Sequence, residues 1–164
     1  MIREIVTDPE QLHIPSEEVN TDDYKEMKEA KNIIADLKET MATSKSGVGM
    51  AASQIGIKKR ILICSRNNGK VFAIINPNIL AYSEQETSIP EGCLSCPGQE
   101  VNDIMRSVQI KIHGYDIKGM PIREMLSGAE SVIFQHEYDH LNGRIITDYV
   151  IEEEVVEEEL PEIS

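Results

Sequence analysis

Ser127-Gly-Ala-Glu-Ser-Val-Ile-Phe-Gln-His-Glu-Tyr-Asp-His-Leu-Asn142 is the stretch around which the rest of the chain has to be arranged. Ser127-Gly-Ala-Glu130 has the capping-box form, in which the Ser oxygen accepts from a free backbone N–H and the Glu reaches back. Val132, Ile133 and Phe134 supply an apolar side, and Gly143 follows as a left-handed C-terminal residue. The pattern predicts a helix over 127–142. Inside it, Gln135-His-Glu-Tyr-Asp-His140 carries an HExxH motif. Residues four apart share a helix face, so His136 and His140 can bind one metal ion. Glu137 stands beside them, able to take a proton from a water on that ion.

Two imidazoles leave the site open, and the sequence offers several third ligands. A metallopeptidase with a third His three residues after Gly143 is excluded, because that position is Ile146. Glu157, Glu158 and Glu159 stand where another peptidase class takes a Glu from a second helix, but their acidic run, ending at Leu160-Pro161, reads as a solvated tail. His13 and His113 are lone histidines near apolar residues and read as structural. Among Cys64, Cys93 and Cys96, Cys93 is the stronger ligand. It lies in Pro90-Glu-Gly-Cys-Leu-Ser-Cys-Pro97, a segment whose Gly and flanking prolines allow close backbone approach to an ion. A Cys-His-His set leaves a fourth position for water. Spacing also permits Cys93, Cys96, His136 and His140 to close a four-ligand zinc site in a non-catalytic protein, or Cys93 and Cys96 to act as a CxxC redox pair.

Ser44-Lys-Ser-Gly-Val-Gly-Met-Ala-Ala-Ser-Gln-Ile-Gly56 adds glycines, small residues and one amide, Gln54. It is a weak phosphate loop, with no Lys-Ser/Thr ending and no strand leading into it. With it, three motifs stand in order: GxGxAAxQ at 47–54, EGCLS at 91–95 and HExDH at 136–140. On these the chain resembles the peptide deformylases, from about Ile5 to Tyr149. The resemblance implies removal of the formyl group from N-formylmethionyl nascent polypeptides, with release of formate. It implies one divalent metal, ferrous iron with zinc or nickel able to substitute, held by Cys93, His136 and His140. Glu137 would be the general base and then the acid, while Gln54 and the backbone N–H of Leu94 would form the oxyanion hole. Val48 and Gly49 would pair with the substrate backbone, and Leu94, Val132 and Ile133 would border the methionine pocket. Arg106 would pair with Glu91 and orient the cysteine loop.

The chain departs from the family pattern in three places. Many members carry an Arg shortly after EGCLS where this chain reads Gly98-Gln-Glu100. The stretch Thr7-Asp-Pro-Glu-Gln-Leu12 keeps only part of the family's N-terminal pattern. Cys96 replaces a branched aliphatic residue: it reads either as a small buried apolar group that never meets Cys93 or as its disulfide partner under oxidation.

The surrounding sequence predicts an α+β fold: a single compact domain with mixed or antiparallel strands around the central HExxH-bearing helix. The catalytic domain would span 1–150, followed by an acidic tail at 151–164. Asp22 to about Lys45 predicts a first helix capped by Thr21, with Tyr24, Met27, Ile34, Leu37 and Met41 at helical spacing. Lys59–Ser65 and Val71–Asn76 predict a hairpin around Asn67-Asn-Gly69. Val108–Tyr115 and Pro121–Met125 predict strands flanking an Asp-Ile-Lys-Gly turn. Of the net charge of −13, seven acids lie in 151–164 with no base, leaving −13 + 7 = −6 on the body. That balance opposes a nucleic-acid-binding function, though not transient ribosome association. The absence of a signal run and of an apolar span, and an odd count of three cysteines, predict a cytoplasmic protein away from membranes.

Overall fold

The structure is a computed structural model that describes residues 1–150. The predicted acidic tail at 151–164, including Glu157, Glu158 and Glu159, lies outside the described residues. A short helix α1 (Pro9–Leu12) and a long helix α2 (Tyr24–Met41) precede nine strands. These are β1 (Gly49–Ala51), β2 (Ile61–Ser65), β3 (Val71–Tyr82), β4 (Glu86–Thr87), β5 (Glu91–Gly92), β6 (Glu100–Val101), β7 (Arg106–Ser107), β8 (Gln109–Tyr115) and β9 (Pro121–Ser127). Helix α3 (Ala129–Leu141) follows, and residues 146–150 are again helical.

Five strands form one antiparallel sheet in the order β1-β2-β3-β8-β9, and β4–β7 and β5–β6 form two small ribbons. The run Ile61-Leu-Ile-Cys-Ser65 shows why the sheet is buried on both faces. Strand side chains alternate; Ile61 and Ile63 join the cluster of Ile33, Ile34, Leu37 and Met41 from α2, while Leu62 and Cys64 join that of Phe134 and Leu141 from α3. A near-continuous apolar strand is what such a two-sided position selects. Helix α3 is thereby pressed against the sheet and carries its motif into the interior, with His136, Glu137 and His140 all buried.

Several predicted boundaries are corrected. Helix α2 starts at Tyr24 and is capped by Asp23, whose carboxylate accepts from the N–H groups of Lys25 and Glu26, so Thr21 is not the cap. Tyr24 is 80% exposed and contributes nothing to the core. The capping box at Ser127–Glu130 does not form. Ser127 ends β9, paired with Gln109, and Gly128 with φ 61° makes the turn into α3 without a side-chain cap. Glu130 instead bonds the Arg66 guanidinium and the Asn67 N–H. The predicted hairpin is present, with Ser65 opposite Val71, but β3 continues through Pro77 to Tyr82, its register to β8 shifting between Ile75 and Asn78.

Gly114 on β8 is required by packing. A Cβ there would lie 2.5 Å from Ile74 Cγ1 and 3.0 Å from the Ile75 carbonyl oxygen. Gly114→Ala is therefore expected to destabilise the fold by about 1–3 kcal/mol through overpacking. Urea unfolding would check this; an unchanged midpoint would show that the sheet yields without cost.

Candidate metal and catalytic site

Cys93, His136 and His140 each offer one ligand atom, and the three atoms lie within 4.8 Å of one another. Helix α3 supplies the imidazoles, and the turn after β5 supplies the thiol, closed by the Cys96 N–H donating to the Cys93 carbonyl at 2.9 Å. His136 Nδ1 contacts Glu91 Oε1 at 2.8 Å, an arrangement that leaves Nε2 as the ligand atom. Burial works against a charged His136 ring, but the Glu91 hydrogen bond and the Glu137 charge outweigh it and raise its pKa. Burial, with His136 and Arg106 nearby, drives the His140 pKa well down, so this ring is neutral. Its Nε2 lies 3.3 Å from Cys93 Sγ, and its buried Nδ1 has no hydrogen-bond partner among the described residues. Two imidazoles and a thiol facing one point, one ring fixed by a carboxylate, fit a tetrahedral divalent cation with one position free.

Glu91 and Arg106 form the expected pair, only 5% and 4% exposed. Arg106 Nε and Nη2 donate to the two Glu91 oxygens at 2.9 and 2.8 Å. Its Nη1 donates to Asp139 Oδ2 at 2.7 Å and to the Tyr149 oxygen at 3.1 Å, and the Tyr149 hydroxyl closes the ring by donating to Asp139. Burial opposes ionisation of Glu91, yet the His136 and Arg106 hydrogen bonds prevail and hold it below the usual carboxylate range. One carboxylate thus ties the helix imidazole to an anchored guanidinium. Glu91→Gln keeps the shape and removes the charge facing His136 Nδ1, so metal affinity should fall about 10–100-fold. Chelator competition on the folded variant measures this, and wild-type affinity would reduce Glu91 to a packing role.

Glu137 lies in the floor of a cleft of about 540 Å³. Burial is the main cause that pushes its carboxyl up to about 7, and Oε2 is buried without a partner among the described residues. A Cβ on Gly49 would fall 2.9 Å from both Glu137 Cγ and Oε1, so only glycine lets β1 pass this close to the carboxyl group. Gln54, on a 3-10 turn over Ala52–Ile55, is held at both ends. Its Oε1 accepts from the Ala51 N–H at 2.9 Å, and its Nε2 donates to Ser95 Oγ at 3.1 Å and Cys93 Sγ at 3.5 Å.

Val48, Gly49, Leu94, Val132 and Ile133 all line the same cleft. His13 and His113 lie elsewhere: His13 Nε2 bonds Asp148 at 2.9 Å, and the His113 ring meets Tyr115 edge-on. Cys64 is buried in the sheet. Cys96 is outside the ligand trio and packs with Leu12, Val101, Ile104, Ile145 and Ile146, which does not support the closed Cys-Cys-His-His arrangement. Cys93 packs against that same cluster, so the two cysteines are neighbours in an apolar setting. Both cysteines are free. The sequence reading did not find the contacts of Asp139 and Tyr149 with Arg106. It also missed Gln135, which accepts from the Ser107 N–H and donates to the Ser107 carbonyl, locking α3 to β7.

A family model described as polypeptide deformylase matches residues 2–155. A peptide deformylase of Thermotoga petrophila is 44% identical over 104 residues, covering 63% of this chain and 62% of that protein. The match thus spans less than two thirds of that relative. The crystal structure of peptide deformylase from Ehrlichia chaffeensis superposes with a TM-score of 0.79 at 32% identity, covering 99% of this chain and 100% of that one. A class I type b peptide deformylase from Acinetobacter baumannii gives a TM-score of 0.83 at 25% identity, covering 90% and 98%.

Proposed function

This chain belongs to the polypeptide deformylase family, and from that membership we propose that it hydrolyses the N-formyl group of formylmethionyl peptides to formate and a free amine. The observation that carries the reading is the meeting, in one cleft, of a Cys-His-His donor trio, a buried carboxyl group and a clamped amide. The family is metal-dependent, and Cys93, His136 and His140 would hold a divalent ion, for which we propose ferrous iron, with zinc or nickel able to take its place. When bound, such an ion supplies Lewis acidity, lowering the pKa of a water it holds and drawing charge from the formyl carbonyl.

The chain's own residues supply the remaining steps. Glu137, whose Oε1 lies 3.9 Å from the His136 Nε2 ligand atom, takes a proton from the attacking water and then delivers it to the departing amine nitrogen. Gln54 Nε2 has two hydrogens: one is committed to Ser95 Oγ, and the other, only weakly engaged at Cys93 Sγ, turns to the formyl oxygen as charge builds there. The backbone N–H of Leu94 is the second proposed donor. The peptide lies extended along Val48 and Gly49, at the edge of the terminal strand β1. Leu94, Val132 and Ile133 receive the methionine side chain.

No helix among the described residues is long and apolar enough to cross a membrane. A cytoplasmic setting, where nascent peptides emerge and where this acidic chain would meet the ribosome only transiently, suits the proposed substrate. Metal analysis combined with an assay on formyl-Met-Ala, with acetyl-Met-Ala as control, tests the reading. Formate release from the first peptide alone, proportional to bound metal, is expected. Cleavage of the Met-Ala bond would favour a metallopeptidase, and a metal-loaded protein inert to both would favour a structural site.

A further inference from the structure

The cleft is electrostatically one-sided. Among the described residues, no lysine or arginine lines it. Of its carboxylates, Glu91 is saturated by Arg106 and His136, and Glu137 is buried in the floor. That leaves Glu100, which is exposed and has no hydrogen-bond or ion-pair partner among the described residues. Its place is set by backbone pairing. Strand β6 lies against β5 with Glu100 opposite Gly92, the residue before Cys93, while its neighbour Val101 turns inward to the core. The register therefore holds Glu100 at the rim of the cleft, beside the loop that carries the thiol.

We propose that Glu100 is a specificity residue: it favours peptides with a cationic side chain at the second or third position and disfavours acidic ones there. The inference rests on the deformylase reading above. Glu137 and Glu100 line the same cleft, and an extended peptide advances about 3.3 Å per residue, so the side chains that follow the first residue are the ones that can reach the rim. A cation there meets an unpaired carboxylate, and an anion meets the same charge with no guanidinium or ammonium in the lining to offset it. Each contact is exposed and individually worth only about 0.2–1 kcal/mol. Attraction of one substrate and repulsion of the other add in their ratio.

The test compares kcat/KM for C-terminally amidated formyl-Met-Ala-Lys, formyl-Met-Ala-Glu and formyl-Met-Ala-Ser, with formyl-Met-Lys-Ala and formyl-Met-Glu-Ala as a second series. Amidation removes the terminal carboxylate that would otherwise oppose Glu100. In one series, the Lys peptide should exceed the Glu peptide about 5- to 10-fold at low ionic strength, with the gap shrinking in salt as screening shortens. Glu100→Gln should bring that ratio close to unity, and Glu100→Lys should invert it. Ratios within one variant cancel any loss of active protein. A wild-type ratio near unity in both series overturns the proposal. So does a ratio that persists in Glu100→Gln, which would assign the preference to the acidic body as a whole. Failure to deformylate formyl-Met-Ala-Ser would instead sink the deformylase reading itself, and this inference with it.

Discussion

Glu137→Gln is expected to retain its metal and to deformylate about 10²–10⁴-fold more slowly, the range that a positioned acid–base group contributes. The substitution changes one oxygen to nitrogen, so it fits the space that Gly49 leaves beside the side chain. None of the three ligand atoms belongs to residue 137, so metal content should match that of the wild type. Stability should not suffer greatly either. The carboxyl group is buried with Oε2 unpartnered, and a neutral amide avoids the penalty of burying a charge. Loss of turnover with metal and thermal midpoint preserved would thus isolate proton transfer. Near-wild-type activity with metal bound would remove Glu137 from the mechanism. Loss of metal along with activity would instead make it a ligand.

The parts of this site that were legible in the sequence are those written locally. His136, Glu137 and His140 needed only the helical repeat to share a face, and Cys93 needed only its Gly-containing segment to stand out. The partners that hold them were harder to read, since they meet across 15 to 45 residues: Glu91 with His136, and Arg106 with Glu91 and Asp139. The Glu91–Arg106 pair was reached by family resemblance. The role of Glu91 as the His136 partner, and of Gln135 as the clamp on Ser107, was not reached, because both depend on where α3 settles against β5 and β7. The fold shows the same division. The alternating and continuous apolar runs marked the strands, but the capping box at Ser127 lost to a longer-range competitor, the backbone pairing of Ser127 with Gln109. The predicted strand stopped at Asn76, yet a register shift in the β3–β8 ladder carries the strand on past Pro77.

Gln54→Ala is expected to lower kcat by about 10²–10³ while leaving KM nearly unchanged. The reason is when the amide acts. In the ground state the formyl oxygen carries little charge, so the hydrogen bond from Nε2 adds little to binding. As the carbon becomes tetrahedral, charge gathers on that oxygen, and a donor already aimed at it stabilises the transition state selectively. The aim is built in: with Oε1 fixed by the Ala51 N–H, the amide cannot flip, and Nε2 must face the cysteine loop. Truncation also removes a contact to Cys93 Sγ, so kcat has to be expressed per bound metal before it is compared. On that basis, a change confined to KM would mean that Gln54 only holds the peptide. A loss of kcat that vanishes after correction for metal would mean that it only supports the thiol.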